Sequence, residues 1–232
     1  MPDVSLVLPC YNEGATLRRS LDRIVDTMRE TGWSFELILI DDASRDATPR
    51  VVEAFAREVD APVRTILHER NRGRGATVRE GLSVADGAVV GFLDVDLEID
   101  AAHIPRFVRA VRAGADVVTA RRIYAPRLRD LHRHLASRVY ARLVGWRLDL
   151  PFPDTEAGFK FFASDAAQAL AAATEEDGWF WDTEVIALAC RKGLEVVDLP
   201  APYVRRRDKR STVRLLPDTI EYLRAMRRFR ER

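Results

Sequence analysis

Short apolar runs alternate with stretches of helical periodicity through the first 120 residues, and this alternation constrains the fold more than any other feature of the chain. Val4 to Leu8, Glu36 to Ile40, Val63 to Leu67, Ala88 to Leu93 and Ala115 to Thr119 read as five strands. Between the first two, Leu17, Leu21, Ile24, Val25 and Met28 recur at helical spacing. Thr48-Pro49 opens a second helix, with Val51, Val52 and Phe55 on its apolar face. A third helix is expected from Gly75 to Val84, and a fourth carries Ile104, Phe107, Val108 and Val111. This order predicts a parallel sheet with right-handed crossovers and helices on both faces. Ligands of such sheets lie at the carboxyl ends of the strands, near the switch in strand order. Four polar clusters sit at those ends: Pro9 to Glu13, Asp41 to Asp46, Asn71 to Gly75, and Asp94 to Glu98.

The second half is less regular. Residues 126 to 148 read as a helix with Leu128, Leu131, Leu135, Val139 and Leu143 on one side and Arg127, Arg129, Arg133, Arg138 and Arg142 on the other. Gly158 to Ala163 and Leu194 to Leu199 read as strands, and Asp182 to Arg191 as a helix. The tail from Leu215 to Phe229 is again amphipathic and rich in arginine. Neither a repeat nor a low-complexity linker interrupts the chain.

With 232 residues, 47% of them apolar and 31% charged, the chain can bury a full α/β core and is not disordered. A net charge of +1 argues against a dedicated nucleic-acid partner. Cys10 and Cys190 offer neither metal-ligand spacing nor a disulfide framework, which fits a reducing compartment. Asp3 and Ser5 interrupt any leader, and no apolar run approaches the ~20 residues a membrane span needs. The expectation is a cytoplasmic protein, or a peripheral one at the inner face of a membrane.

Asp94-Val95-Asp96 closes the fourth strand. Extended backbone puts both carboxylates on one side, a hard-oxygen pair suited to Mg²⁺ or Mn²⁺, and Glu98 lies in position to complete the set. Asp41-Asp42 after the second strand either accept hydrogen bonds from a base and ribose or belong to a solvated loop. Asn71 to Gly75 places Arg72 and Arg74 with two glycines at a helix start, an arrangement that favours anions. In Asp154 to Phe162, Gly158 marks a place where substrate can approach the backbone. Lys160 is there either a phosphate contact or a strand-edge charge. Trp179-Phe180-Trp181 reads as core packing, while Asp182 and Glu184 suit sugar hydroxyls.

The order of these motifs resembles the family 2 glycosyltransferases of the GT-A fold, over nearly the whole chain. Arg122, the Asp154 to Phe162 segment and Trp181-Asp182-Thr183-Glu184 are similar to the dolichyl- and polyprenyl-phosphate mannose and glucose synthases. The resemblance implies a single α/β domain with a Rossmann-like, mostly parallel central sheet over 1–212, a nucleotide half (1–120), an acceptor half (121–212) and an amphipathic C-terminal helix (213–232). It implies that Pro9, Tyr11, Glu13, Asp41, Asp42 and Arg74 line the nucleotide with Asp94, and that Asp94, Asp96 and Glu98 hold Mg²⁺ or Mn²⁺ and the diphosphate. Arg122, Lys160, Arg206 and Ser211 would meet phosphates of acceptor or donor. The chain departs from the family around Ser211, where Lys209 and Thr212 stand, and has Phe180 where mannose synthases often carry a lysine. That change and Gly158-Phe159-Lys160 lean towards the glucose-type branch.

The expected reaction is inverting, metal-dependent transfer of a hexose from a nucleotide-diphospho-hexose, of the GDP-mannose or UDP-glucose type, to a polyprenyl phosphate. A lipid phosphate needs no strong base; a hydroxyl acceptor does, and Asp154 and Asp182 are the candidates. The alternatives are transfer to a soluble or polysaccharide hydroxyl and a non-catalytic nucleotide-sugar-binding module. A nucleotidyltransferase would want a Gly-rich basic loop where Pro9 to Glu13 stands. The Arg-rich segments, with Leu215, Leu216, Ile220, Leu223, Met226 and Phe229 on the second, either lie on a membrane surface or pack as ordinary surface helices.

Overall fold

The computed structural model describes residues 1–124, 147–205 and 215–231, without the side chains of 215–220. The strands are β1 (Val4–Cys10), β2 (Phe35–Asp41), β3 (Val63–Leu67), β4 (Val89–Leu93), β5 (Val117–Tyr124), β6 (Phe159–Ala163) and β7 (Val196–Tyr203). The helices are α1 (Leu17–Thr31), α2 (Thr48–Glu58), α3 (Arg74–Ser83), α4 (Ile104–Arg112), α5 (Ser164–Ala173), α6 (Trp181–Arg191) and α7 (Leu215–Arg230). The five strands and four helices expected in the first half all form, with ends shifted by a few residues. β7 runs four residues further than the apolar pattern does, because Pro200 and Pro202 interrupt that pattern while pairing with β5 continues to Tyr203.

All seven strands form one sheet in the order β3-β2-β1-β4-β6-β5-β7. β4, β1, β2 and β3 are parallel, as are β5 and β7. β6 runs antiparallel to both neighbours, so the sheet is mostly rather than wholly parallel. The chain leaves β1 towards β2 and β3 on one side and returns to β4 on the other. The switch therefore lies between β1 and β4, beside Cys10 and Leu93. The expected border at residue 120 falls inside β5.

Alternation along the strands builds two cores. Leu6 and Leu8 of β1, Leu37 and Leu39 of β2 and Phe159 and Phe161 of β6 face α1, α2 and α4, where Leu21, Ile24, Phe55 and Phe107 meet them. Val7, Ile38, Ile40 and Phe162 face the other way, onto Val78 and Leu82 of α3, Leu170 of α5 and Val185 of α6. Lys160, one residue from both Phe159 and Phe161, is thereby turned to the α3 and α6 side. A third cluster joins Phe180 and Ala187 to Tyr222, Ala225, Met226 and Phe229 of α7. Met226 and Phe229 are thus spent inside the protein, as in the packed alternative of the two readings for this tail. No helix among the described residues is long and apolar enough to cross a membrane.

Candidate active site

The first wall of the site is built where β1 and β2 end. Asp41 is buried; its Oδ2 accepts from the Ser44 amide at 3.0 Å, while its Oδ1 has no hydrogen-bond partner among the described residues. A buried carboxylate oxygen without a donor is costly and marks a place for one. Tyr11 is exposed, Pro9 half-buried, and Glu13 buried with its amide donating to Thr48 Oγ1 at 2.7 Å. Asn12, Ala43 and Leu97 all take left-handed backbone, with φ of 54°, 58° and 53°. Such conformations are unusual for alanine and leucine and concentrate at functional sites. No local pattern in the sequence marks them.

Asp42 corrects the reading that paired it with Asp41. Its Oδ1 accepts from the Arg72 amide at 2.7 Å and meets His68 Nδ1 at 2.8 Å; its Oδ2 accepts from the Gly73 amide at 2.9 Å. The amides of Gly75 and Ala76 in turn donate to the Asp177 carbonyl at 2.7 and 3.2 Å. The Gly-rich start of α3 does bind an anion, and that anion is the protein's own Asp42. The glycines serve close packing: a Cβ on Gly73 would stand 2.4 Å from the Asp177 carbonyl oxygen, and Gly73 has φ of 93°.

At the end of β4, Asp94 is gripped by Arg74, whose Nη1 and Nη2 donate to its two oxygens, the second at 3.1 Å. Partial burial pushes the Asp94 carboxyl up; Arg74 opposes this and the Asp96 charge adds to it. Asp96 Oδ1 accepts from the Glu98 amide at 3.2 Å. Glu98, expected to complete the set, accepts from the Tyr203 hydroxyl on β7 through Oε2. Burial and that carboxylate together raise the Tyr203 phenol well above its ordinary range. Among the described residues no three acidic, histidine or cysteine side chains converge as metal ligands. Asp94 and Asp96 have the right donor chemistry for Mg²⁺ or Mn²⁺, which keep waters and draw further ligands from phosphates. The residues fit such an ion beside a diphosphate, and do not fit a cage made by protein alone.

The opposite wall comes from β5 and the loop before β6. Asp154 takes a fork from Arg122: Oδ2 accepts from Nε at 2.8 Å and from the Arg122 amide at 2.9 Å, and Oδ1 accepts from Nη2 at 2.8 Å. Burial works to raise this carboxyl, yet the Arg122 charge and hydrogen bonds hold it below the usual range. Glu156 Oε2 lies 3.7 Å from Arg122 Nη2, and here burial prevails and pushes the carboxyl up. Lys160 is neither a phosphate contact nor an edge charge. It is fully buried in a central strand, donating to Asp182 Oδ1 at 2.7 Å and to the Ala157 carbonyl at 2.6 Å. Burial pushes its ammonium down against the pull of Asp182. Asp182 is buried in turn, its Oδ2 accepting from Arg74 Nε at 3.0 Å, so it faces cations and not sugar hydroxyls.

Gly158 is needed for close approach, as expected, but what approaches is protein. A Cβ there would fall 1.9 Å from Asp94 Oδ2 and 2.5 Å from Arg74 Nη2. Thr155 Oγ1 and Thr183 Oγ1 are 2.8 Å apart, and Thr183 Oγ1 is 2.5 Å from the Tyr222 hydroxyl, tying this loop to α7. Trp181 is core, as read, whereas Trp179 is 41% exposed and lies over Arg74. Arg206, Ser211 and residues 126 to 146 fall outside the described residues.

The mostly parallel sheet, its switch between β1 and β4 and the acids at the ends of β2 and β4 define the class: a GT-A glycosyltransferase domain. The profile described as glycosyl transferase family 2 matches residues 5–171, and the chain belongs to that family. It is 33% identical over 211 residues to glycosyltransferase AglD of Haloferax volcanii, covering 89% of this chain and 34% of that protein. It is 38% identical over 115 residues to undecaprenyl-phosphate 4-deoxy-4-formamido-L-arabinose transferase of Pseudomonas fluorescens, covering 50% of this chain and 34% of the relative. The chain thus spans about a third of the length of these curated relatives. Among solved structures it shares its fold with glucosyl-3-phosphoglycerate synthase of Mycobacterium tuberculosis in complex with Mn²⁺, UDP-glucose and phosphoglyceric acid. The TM-score is 0.73 at 18% identity, over 98% of this chain and 79% of that one.

Proposed function

We propose that this domain transfers a sugar from a nucleotide-diphospho-sugar to a polyprenyl phosphate. The named activity of the undecaprenyl-phosphate transferases supports the acceptor class. The observation that carries it is the state of the two acids expected as bases: Asp154 is forked by Arg122 and Asp182 is held by Lys160 and Arg74. Each oxygen of both carboxylates already accepts from an arginine or lysine, and the Arg122 charge holds Asp154 below the usual carboxylate range. A phosphate acceptor arrives with an anionic oxygen and asks for none, whereas a hydroxyl needs one.

In this reading Asp41 accepts from the base or ribose through its unpartnered oxygen, with Pro9, Tyr11 and Glu13 along the same wall. Asp94 and Asp96 hold a divalent cation against the diphosphate. When bound, that ion supplies charge neutralisation and Lewis acidity at the leaving group. Arg122, ringed by Tyr124 and Tyr203 at 5.9 and 5.7 Å, orients the acceptor phosphate. The acceptor oxygen attacks the anomeric carbon opposite the diphosphate, which inverts that carbon. The test is a donor panel (GDP-mannose, UDP-glucose, UDP-GlcNAc, UDP-galactose) with Mn²⁺ and a short polyprenyl phosphate, read by product mass. A lipid-linked monosaccharide phosphate is expected. Transfer only to hydroxyl acceptors would refute the acceptor class.

A further inference from the structure

Arg74 stands where two demands on Asp94 meet. Its guanidinium is 14% exposed and lies 5.1 and 5.3 Å from the ring centres of Phe92 and Trp179. It occupies both Asp94 oxygens and, through Nε, one oxygen of Asp182; Lys160 takes the other. Two cations and two carboxylates thus alternate in a formally neutral row from the middle of β6 to the end of β4. A divalent cation brought to Asp94 and its neighbour Asp96 would add more positive charge than that second carboxylate offsets, and would meet a guanidinium already seated on Asp94. A nucleoside diphosphate carries the missing negative charge, and its phosphate oxygens match the fork of a guanidinium. Asp182 keeps Lys160 if Arg74 moves, so the displacement leaves no buried carboxylate unpaired. The half-exposed Trp179 ring bounds Arg74 on its outer side.

We infer that Arg74 couples the cation to the diphosphate. Without nucleotide it occupies Asp94 and keeps the affinity for a divalent cation low. With a diphosphate present it passes its fork to a phosphate oxygen and releases Asp94. The inference rests on the proposed placement of the diphosphate at this strand end.

The experiment is Mn²⁺ binding to the full chain, read by the EPR signal of free Mn²⁺, with and without UDP or GDP. The unaltered chain is expected to bind Mn²⁺ about tenfold or more tightly with the diphosphate than without, a coupling of ordinary size. Arg74→Met is expected to bind Mn²⁺ alone about tenfold more tightly than the parent, with the nucleotide enhancement reduced by the same factor. Arg74→Lys, a charge without the fork, falls between them and serves if the methionine variant does not fold. If nucleotide enhances Mn²⁺ binding to the parent while the variant that folds binds Mn²⁺ alone no more tightly than the parent, this inference is overturned and the site reading stands. If neither diphosphate promotes Mn²⁺ binding to the parent, the site reading falls and this inference with it.

Discussion

Asp41 and Asp42 are neighbours with the same side chain and opposite fates. The first has one oxygen without a hydrogen-bond partner among the described residues; the second is consumed by the amides of Arg72 and Gly73. Asp41→Asn should therefore weaken nucleoside diphosphate binding by about tenfold or more, the worth of one charged hydrogen bond, with little change in melting temperature. Isothermal titration checks this, and unchanged affinity would place the nucleotide elsewhere. Glu156 is the remaining acid near Arg122, 36% exposed and with its carboxyl pushed up by burial. If the acceptor is a phosphate, Glu156→Gln escapes the ~10²–10⁴-fold loss that removal of a general base brings. A loss of that size, relieved at high pH, would favour the hydroxyl acceptor.

Between elements, the Arg122–Asp154 fork joins β5 to the loop entering β6. The folded Asp154 carboxyl lies below its ordinary value of 3.8, so the unfolded chain takes up the proton first as pH falls. The pair's contribution is complete above the ordinary carboxylate range and is lost as pH drops through the folded value. Asp154→Asn should lower stability by about 3 kcal/mol at neutral pH, since it strands Arg122. The gap between the two melting curves should hold down to about pH 5 and narrow below about pH 4. On the far side, α7 docks through Phe229, buried beside Phe180 and under the Arg191 guanidinium. Phe229→Ala should cost about 3 kcal/mol, and a melting temperature shifted by less than a degree would mean that α7 is only loosely held.

These contacts also show what the sequence could reveal. β1 to β5 and α1 to α4 were legible because periods of 2 and 3.6 are local. α5 shows no apolar stripe in its alanine-rich stretch and is not legible from periodicity. The insertion of β6 between β4 and β5 was illegible, because partner choice in a sheet is not written in one strand. The same holds within the site. Asp94, Asp96, Asp154 and Asp182 could be picked out as acids at strand and helix ends, but Arg74 is 108 residues from Asp182 and Tyr203 is 105 from Glu98. Composition names such groups; only folding pairs them.

For the molecule as a whole, the proposed reading makes ligands part of the stability. A nucleoside diphosphate with Mn²⁺ at about 100 times its Kd should add about 2.7 kcal/mol. In a chain of this size that raises the melting temperature by about 5–10 °C. EDTA should remove most of the gain, and a shift indifferent to EDTA would separate nucleotide binding from the cation. Topology sets a further condition. The strand contributed by residues 159–163 wedges between its two neighbours, holding the β1–β4 and β5–β7 parts of the sheet in one fabric. A fragment cut at residue 120 would therefore not be a small nucleotide-binding protein. It would bare a raw row of amides and carbonyls along Val89–Leu93 and tend to clump, so the two parts of this sheet can be told apart but not taken apart.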